Sequence, residues 1–249
     1  MRLVAKWSEY LDHFHAERAG VTEAVFAHLD GRGGRVGEWI LSSALPDGVV
    51  LDVACGSAPL WARLAGRWVG VDRAAAELTL ARRRGASPLV RGDARALPIA
   101  SERLDAVVCS MALMLLQPLD AGVAELARVS RRGARVVVVA PATAPLTLRD
   151  RTRYARLLLA LRRRRLDFPN DPSRLDRALV AGGFDVVESD LRRFSYEIDG
   201  VVTAELLVES LYLPYARPEH VARGLAVTRR WIGSSIGIPL RRIVAVRRA

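Results

Sequence analysis

The chain has 249 residues, 51% of them apolar, and a formal net charge of +11. That length and apolar share suffice for one large domain, or a core with an added lid, and for burying a sizeable interior. Three classes are set aside: no apolar run approaches a membrane span, Cys55 and Cys109 cannot build a disulfide framework, and the opening Met1–Ser8 lacks the apolar core and small-residue cleavage site of a secretion signal. A reducing cytoplasm is the expected setting.

Trp7, Tyr10, Leu11 and Phe14 recur at helical spacing and predict an amphipathic first helix. His13 and Glu17 stand four apart on it, and His15 lies on another face. An imidazole titrates near neutrality, so His13 and His15 are the candidate general bases, set against the plainer reading that both serve solvent or packing. Residues two apart on a helix diverge, so this His-x-His is no chelate, and no metal is expected. Thr22 is the expected N-cap of a second helix ending near Asp30, with Gly31 beyond it; Gly33-Gly34 is a joint; Val36–Leu45 is a third helix, ended by Pro46-Asp47-Gly48.

Next, the apolar run Val49–Val53 ends in Ala54-Cys55-Gly56-Ser57-Ala58-Pro59, and a second run ends Val69-Gly70-Val71-Asp72. This is the sequence form of a βαβ unit that holds an adenosine-containing cofactor. Gly56 lets backbone approach the ligand, and Asp72 can accept from both ribose hydroxyls. The ligand is not a dinucleotide, because a G-x-G-x-x-G cradle would need glycine where Ala54 and Pro59 stand, and no Walker loop occurs. Strands are expected at Leu89–Arg91, Leu104–Ser110 and Arg135–Pro141, alternating with helices, so the sheet should be parallel and doubly wound.

From Arg149 to Arg165 arginines alternate with leucines, in the pattern of a basic amphipathic helix. Lys6 is the sole lysine, which fits a GC-rich coding bias. The run reads first as a solvated helix face, then as a contact for a membrane surface or acidic partner, then for RNA. Later elements are a helix Ser173–Ala181 closed by Gly182-Gly183, a strand within Phe184–Ile198, helices at Val202–Leu213 and Glu219–Ile232, and a last strand Leu240–Arg248.

The turn Val50-Leu51-Asp52-Val53-Ala54-Cys55-Gly56-Ser57-Ala58, with Arg91-Gly92-Asp93-Ala94, Leu97-Pro98-Ile99 and the fourth and fifth strands in order, resembles the class I S-adenosylmethionine (SAM)-dependent methyltransferases. The likeness is to their small-molecule branch, which includes ubiquinone/menaquinone C-methyltransferases. It runs over about residues 36–141 and departs from the family at Ala58, where a last glycine is usual. It implies a Rossmann-like α/β fold: a doubly wound, mostly parallel seven-stranded sheet with an antiparallel last strand, an N-terminal helical cap (1–35) on a cofactor domain (36–249), and inserted lid or interface segments near 149–170 and 200–218. It implies SAM as cofactor, held by Asp52, Ala54, Cys55, Gly56, Asp72, Arg73, Gly92, Asp93, Ala94, Ser110 and Met111. Within that set Asp93 would take the adenine amino group, Ala94 would pack on the ring, and Ser110, Met111 and Ala112 would face the methionine moiety. Tyr10, Met114, Tyr212 and Tyr215 are the expected substrate contacts.

Methyl transfer is an in-line displacement that needs alignment and dryness, and a base only when the acceptor must lose a proton. Where amine-directed members carry an Asn/Asp-Pro-Pro-Tyr loop this chain has Cys109-Ser110-Met111-Ala112, and no Pro-Cys nucleophile for cytosine chemistry occurs. Met111, Leu113, Met114, Leu115 and Leu116 suggest an apolar wall, with core packing the plainer reading for Leu115 and Leu116. The expectation is therefore methylation at oxygen or carbon of a small, largely apolar, quinone-like or secondary-metabolite acceptor. The alternatives are an RNA methyltransferase using the arginine-rich surface, or a SAM-fold binding or regulatory protein that does not methylate. The added segments could also serve a homodimer, and peripheral membrane contact stays open.

Overall fold

The computed structural model describes residues 2–29, 34–42, 45–64 and 66–249. The expected helix end at Asp30, Gly31, and Gly33 of the expected joint lie outside them. The chain opens with helices α1 (Arg2–Glu17), α2 (Val21–Ala27) and α3 (Gly34–Leu41). It then alternates β1 (Val50–Val53), β2 (Trp68–Asp72), α4 (Ala75–Arg83), β3 (Leu89–Arg91), β4 (Leu104–Ser110), α5 (Leu119–Val129) and β5 (Ser130–Pro141). It closes with α6 (Leu148–Ala160), α7 (Leu175–Ala181), β6 (Phe184–Ile198), α8 (Val201–Glu209), α9 (Pro218–Arg229) and β7 (Ser234–Arg247).

Among the described residues seven strands form one sheet in the order β3-β2-β1-β4-β5-β7-β6. The first five run parallel, with Leu51 paired to Val69 on one side and Val107 on the other. β7 is antiparallel to both β5 and β6. All four residues of β1 are buried, as expected of a strand covered on both faces, which reads as a continuous apolar run. One core face gathers Trp39, Leu78, Val137, Tyr196 and Trp231; the other gathers Leu51, Val107, Met114, Leu126 and Phe184. From β1 the chain winds outward through β2 and β3, then returns to β4 on β1's other side. The crevice beyond the carboxyl ends of β1 and β4 is therefore the topological switch point, where open α/β sheets bind ligands.

Several boundaries differ from expectation. Thr22 is not a cap: α2 follows Gly20, whose φ of 80° suits glycine and whose amide donates to Glu77 Oε2 (2.9 Å). α3 stops at Leu41 rather than Leu45, and α8 stops at Glu209 rather than Leu213. β7 begins six residues before Leu240, at Ser234, because its first half pairs with Arg193–Ile198 of β6 beyond the parallel sheet.

The expected solvated arginine helix is α6, but it is not free on every side. Its Thr147 cap accepts from the Asp150 amide (3.1 Å) while Asp150 Oδ2 accepts from the Thr147 amide (3.0 Å). Arg153 is buried, donates to Ser234 Oγ (2.7 Å) and the Ser235 carbonyl, and lies 5.3 Å from the Trp231 ring. Asp150 also accepts from Arg193 Nε (2.7 Å) and from the Gly237 amide (2.7 Å). A side chain at Gly237 would run into Arg193 and Asp150, so glycine is what lets the strand reach the carboxylate. Burial opposes charge on Asp150, but the bonds from Arg193, Thr147 and the Gly237 amide outweigh it and hold its pKa well below the carboxylate range.

Candidate cofactor and acceptor site

A cleft of about 1270 Å³, counted out to its open mouth, lies over the switch point. Its floor is the turn after β1, where Ala54 (φ 54°), Gly56 (φ 54°) and Ala58 (φ 61°) all adopt the left-handed conformation. Two alanines in that region cost roughly 1–2 kcal/mol each, strain that must be held by surrounding bonds. The Cys55 amide donates to the Val71 carbonyl (3.1 Å), and the Gly56 amide donates to Asp72 Oδ2 (2.8 Å). A Cβ on Gly56 would find room, with Glu77 Oε2 nearest at 3.6 Å; its positive φ, more than crowding, favours glycine there.

Asp72 closes β2 and accepts from the Ala74 amide on Oδ1 (2.8 Å). Each carboxylate oxygen has a second lone pair, so both remain able to accept from a hydroxyl. Burial pushes its carboxyl pKa up, against the pull of those two amides. Asp52 lies deeper. It accepts from Trp68 Nε1 (3.2 Å), and burial, with Asp72 nearby, pushes its pKa up to about 7. That Trp68 ring fits because position 70 is glycine: a Cβ there would collide with the indole and stand 2.8 Å from Cys55 Sγ. Burial pushes both thiols up, Cys109 to about 12, so both are held as neutral thiols.

The eleven residues expected to hold cofactor, from Asp52 to Met111, all line this cleft. Asp93 arrives with a partner that sequence reasoning missed. Arg95 donates to Oδ1 through Nε (2.9 Å) and to Oδ2 through Nη2 (2.6 Å), and these bonds hold the Asp93 pKa down. Arg73 donates to Asp12 Oδ2 (2.6 Å) and Ser8 Oγ (3.2 Å), tying α1 across the mouth.

The wall after β4 differs from expectation. Met111 takes a left-handed φ of 57° and leads into a 3-10 turn, Leu113–Leu115. The tighter turn sends Leu113 and Met114 fully into the core, while Met111, Leu115 and Leu116 line the cleft. Met114, expected to touch substrate, is thus a core residue, and Leu115 and Leu116, for which core packing was the plainer reading, line the cleft.

Of the two candidate bases, the structure brings one to the cleft. His13 is 74% exposed and pairs with Glu17 (3.1 Å) on the outer face of α1. His15 lines the cleft, its Nδ1 at 3.0 Å from Glu77 Oε1 and its Nε2 at 3.3 Å from the Tyr212 hydroxyl. With Nδ1–H directed at Glu77, Nε2 is left as the acceptor for Tyr212. Burial, with Glu77 and Asp72 close by, raises the Tyr212 pKa. Tyr10 and Tyr215 fall outside the cleft lining: the Tyr10 hydroxyl accepts from the Leu213 amide (2.7 Å), and Tyr215 is exposed. Glu77 sits in the first turn of α4, with no sequence pattern linking it to His15, 62 positions earlier.

Residues 51–138 match a family described as a methyltransferase domain. That match takes in β1 to β5, the strands that carry the cleft. A demethylmenaquinone methyltransferase of Mycobacterium sp. (strain JLS) is 43% identical over 96 residues, 37% of this chain and 41% of that protein. The chain thus spans about two fifths to one half of the length of the curated relatives it matches. A putative methyltransferase from Bacillus halodurans superposes with a TM-score of 0.58 at 18% identity, covering 87% of this chain and 100% of that one. The [4+2]-cyclase SpnF superposes with a TM-score of 0.58 at 16% identity, covering 87% and 81%. These two likenesses are of fold.

The site's chemistry fits the cofactor of such a domain, SAM. Asp52, Asp72 and Glu77 converge on the cleft of a protein whose net charge is +11. A carboxylate cluster complements a sulfonium cation and a sugar, and repels a pyrophosphate. Among the described residues no helix is long and apolar enough to cross a membrane.

Proposed function

We propose that the chain methylates oxygen or carbon of a small, largely apolar acceptor, quinone-like or a secondary metabolite, in the cytoplasm. The reading rests on one observation: a carboxylate-lined cleft, complementary in charge to a cationic nucleoside, continues into a wall of Met111, Leu115 and Leu116 beside a His15–Tyr212 pair. Bound SAM supplies an electrophilic methyl group. Asp72 holds the ribose, the turn at Gly56 admits the amino-acid tail, and Ala94 packs on the base. Residues 1–35 act as a cap over a cofactor domain of 36–249, with 149–170 and 200–218 as added lid or interface.

His15 and Tyr212 handle the acceptor's proton. The acceptor hydroxyl gives its proton to the Tyr212 oxygen as the Tyr212 proton moves to His15 Nε2, and Glu77 steadies the imidazolium that results. The apolar wall excludes water meanwhile. The RNA reading loses support because the aromatic of the arginine-rich helix, Tyr154, is turned inward to the Gly237 carbonyl and offers bases no stacking surface.

The test is conversion of SAM to S-adenosylhomocysteine across a panel of phenols, quinols and polar amines. Turnover is expected with apolar phenols or quinols. Tyr212→Phe and His15→Ala should lower kcat about 100-fold or more while SAM affinity holds. Tight SAM binding with no turnover on any acceptor would contradict the reading and favour a non-methylating binder.

A further inference from the structure

Helix α6 has two faces. Asp150, Arg153 and Leu157 are buried inward. Leu148 and Leu159 lie three turns apart on the outward side, 81% and 70% exposed. Exposed leucines are unremarkable singly, but these two stand in a field of unmatched positive charge. Arg149, Arg151 and Arg156 on the helix, and Arg162 and Arg164 just after it, are exposed, with side chains in no hydrogen bond or ion pair among the described residues. The one acid of α6, Asp150, is buried and spent on Arg193, and nearby Asp167 is taken by Arg163 and Arg165. On α9, which packs beside α6, Arg223 is exposed, as is Arg230 at the helix's C-cap, and both add positive charge to this region.

We propose that this α6–α9 face docks the protein on an anionic lipid surface, with the arginines among headgroups and Leu148 and Leu159 at the acyl boundary. Basic helices that lie in a bilayer interface pair charge with apolar side chains in this way. Single-stranded nucleic acid is instead held by basic grooves with aromatic stacking platforms. The aromatic of α6, Tyr154, is turned inward to donate to the Gly237 carbonyl (3.0 Å). The face also leads to the cleft. Beyond α6, Phe168 packs 6.5 Å from the Tyr212 ring, and Asn170 Nδ2 donates to the Leu116 carbonyl (2.6 Å). An apolar acceptor dissolved in lipid would meet the cleft rim at the docked side. That last step rests on the proposed function; the docking itself does not.

The experiment is co-sedimentation of the full chain with vesicles of phosphatidylcholine alone or with one third phosphatidylglycerol, at low and high salt, with SAM titration of every variant as a check on the fold. The wild type should partition onto the anionic vesicles and much less onto the neutral ones. R149Q/R151Q/R156Q should lower that partitioning about 100-fold, and L148S/L159S about tenfold. R82Q/R83Q/R177Q removes the same charge from α4 and α7 and should change it less than about threefold. Three outcomes overturn the proposal: no partitioning by the wild type, an equal loss in the α4–α7 variant, or an L148S/L159S variant that binds like wild type while R149Q/R151Q/R156Q loses an RNA oligonucleotide equally. The first two remove the surface, and the third makes it a nucleic-acid face. None bears on SAM turnover, so failure here and failure of the methyltransferase reading are told apart.

Discussion

Asp150 and Asp52 are buried to nearly the same extent, 1% and 2% exposed, and their surroundings treat them oppositely. Asp150 is saturated by Arg193, the Gly237 amide and both Thr147 groups, and it pins α6 to the β6–β7 ribbon. Asp52 has one indole donor and two acidic neighbours, Asp72 and Glu77, around the same cleft. Backbone geometry divides the same way: the turn beside Asp52 holds Ala54 and Ala58 at positive φ, whereas the Thr147 cap is regular. A carboxylate kept for stability has its acceptors filled by the protein. Asp52, on the cleft, is left with acceptor capacity to spare, as a carboxylate awaiting a ligand would be. Strained, under-satisfied groups belong where function needs them.

The contrast can be broken most forcefully at Asp150. Asp150→Ala strips the Gly237 and Thr147 amides of their acceptor and Arg193 of its carboxylate. It should cost about 3–5 kcal/mol, a fall of about 10 °C in Tm by calorimetry. A fall under about 3 °C would make the bond network decorative. Glu77→Gln keeps the shape of the His15 contact but removes the charge that steadies an imidazolium. It should lower kcat about 100-fold, with the methylation pH profile displaced and SAM affinity reduced far less; a change confined to KM would place Glu77 in binding instead.

The strands ending at Val53, Asp72 and Ser110 were legible because parallel strands buried on both faces read as apolar runs and the turn between them must use small residues. The eleven residues expected to hold cofactor all line the cleft because that topology gathers the strand ends there. The acceptor side was not legible. Whether Met114 or Leu115 faces the cleft depends on a 3-10 turn started by the left-handed Met111, and no periodicity announces such a turn. His15 could not be preferred over His13 until Glu77 and Tyr212, distant in sequence, were placed beside it. The length of β6 and β7 was also hidden, because their outer halves pair only with each other.

A smaller effect sharpens the contrast through pH. Asp52's raised pKa means its stabilising share is whole below about pH 4 and is lost as pH rises through about 7. Asp150, whose pKa is lowered, contributes above about pH 4 and loses its share as pH falls. Asp52→Asn should therefore flatten the decline in stability between pH 4 and 7 and leave the acid limb unchanged. A cation favours ionised Asp52, so wild-type SAM affinity should rise between pH 6 and 8, several-fold, and Asp52→Asn should lose that rise. Calorimetry in buffers of different ionisation enthalpy reads the released proton. The smallest effect is at the strained turn. Ala54→Gly should raise stability by about 0.5–1 kcal/mol, measured by urea unfolding; destabilisation would mean the alanine methyl earns more than its strain costs.

The central claim is that an under-satisfied carboxylate at the end of β2 holds a cationic nucleoside. Isothermal titration with SAM, run in parallel on wild type and Asp72→Ala with NAD as an anionic control, tests it most directly. The account expects SAM to bind wild type, a loss of at least 100-fold in Asp72→Ala at little change in Tm, and no binding of NAD by either. Equal SAM affinity in the two proteins, or tight binding of NAD by the wild type, would contradict it.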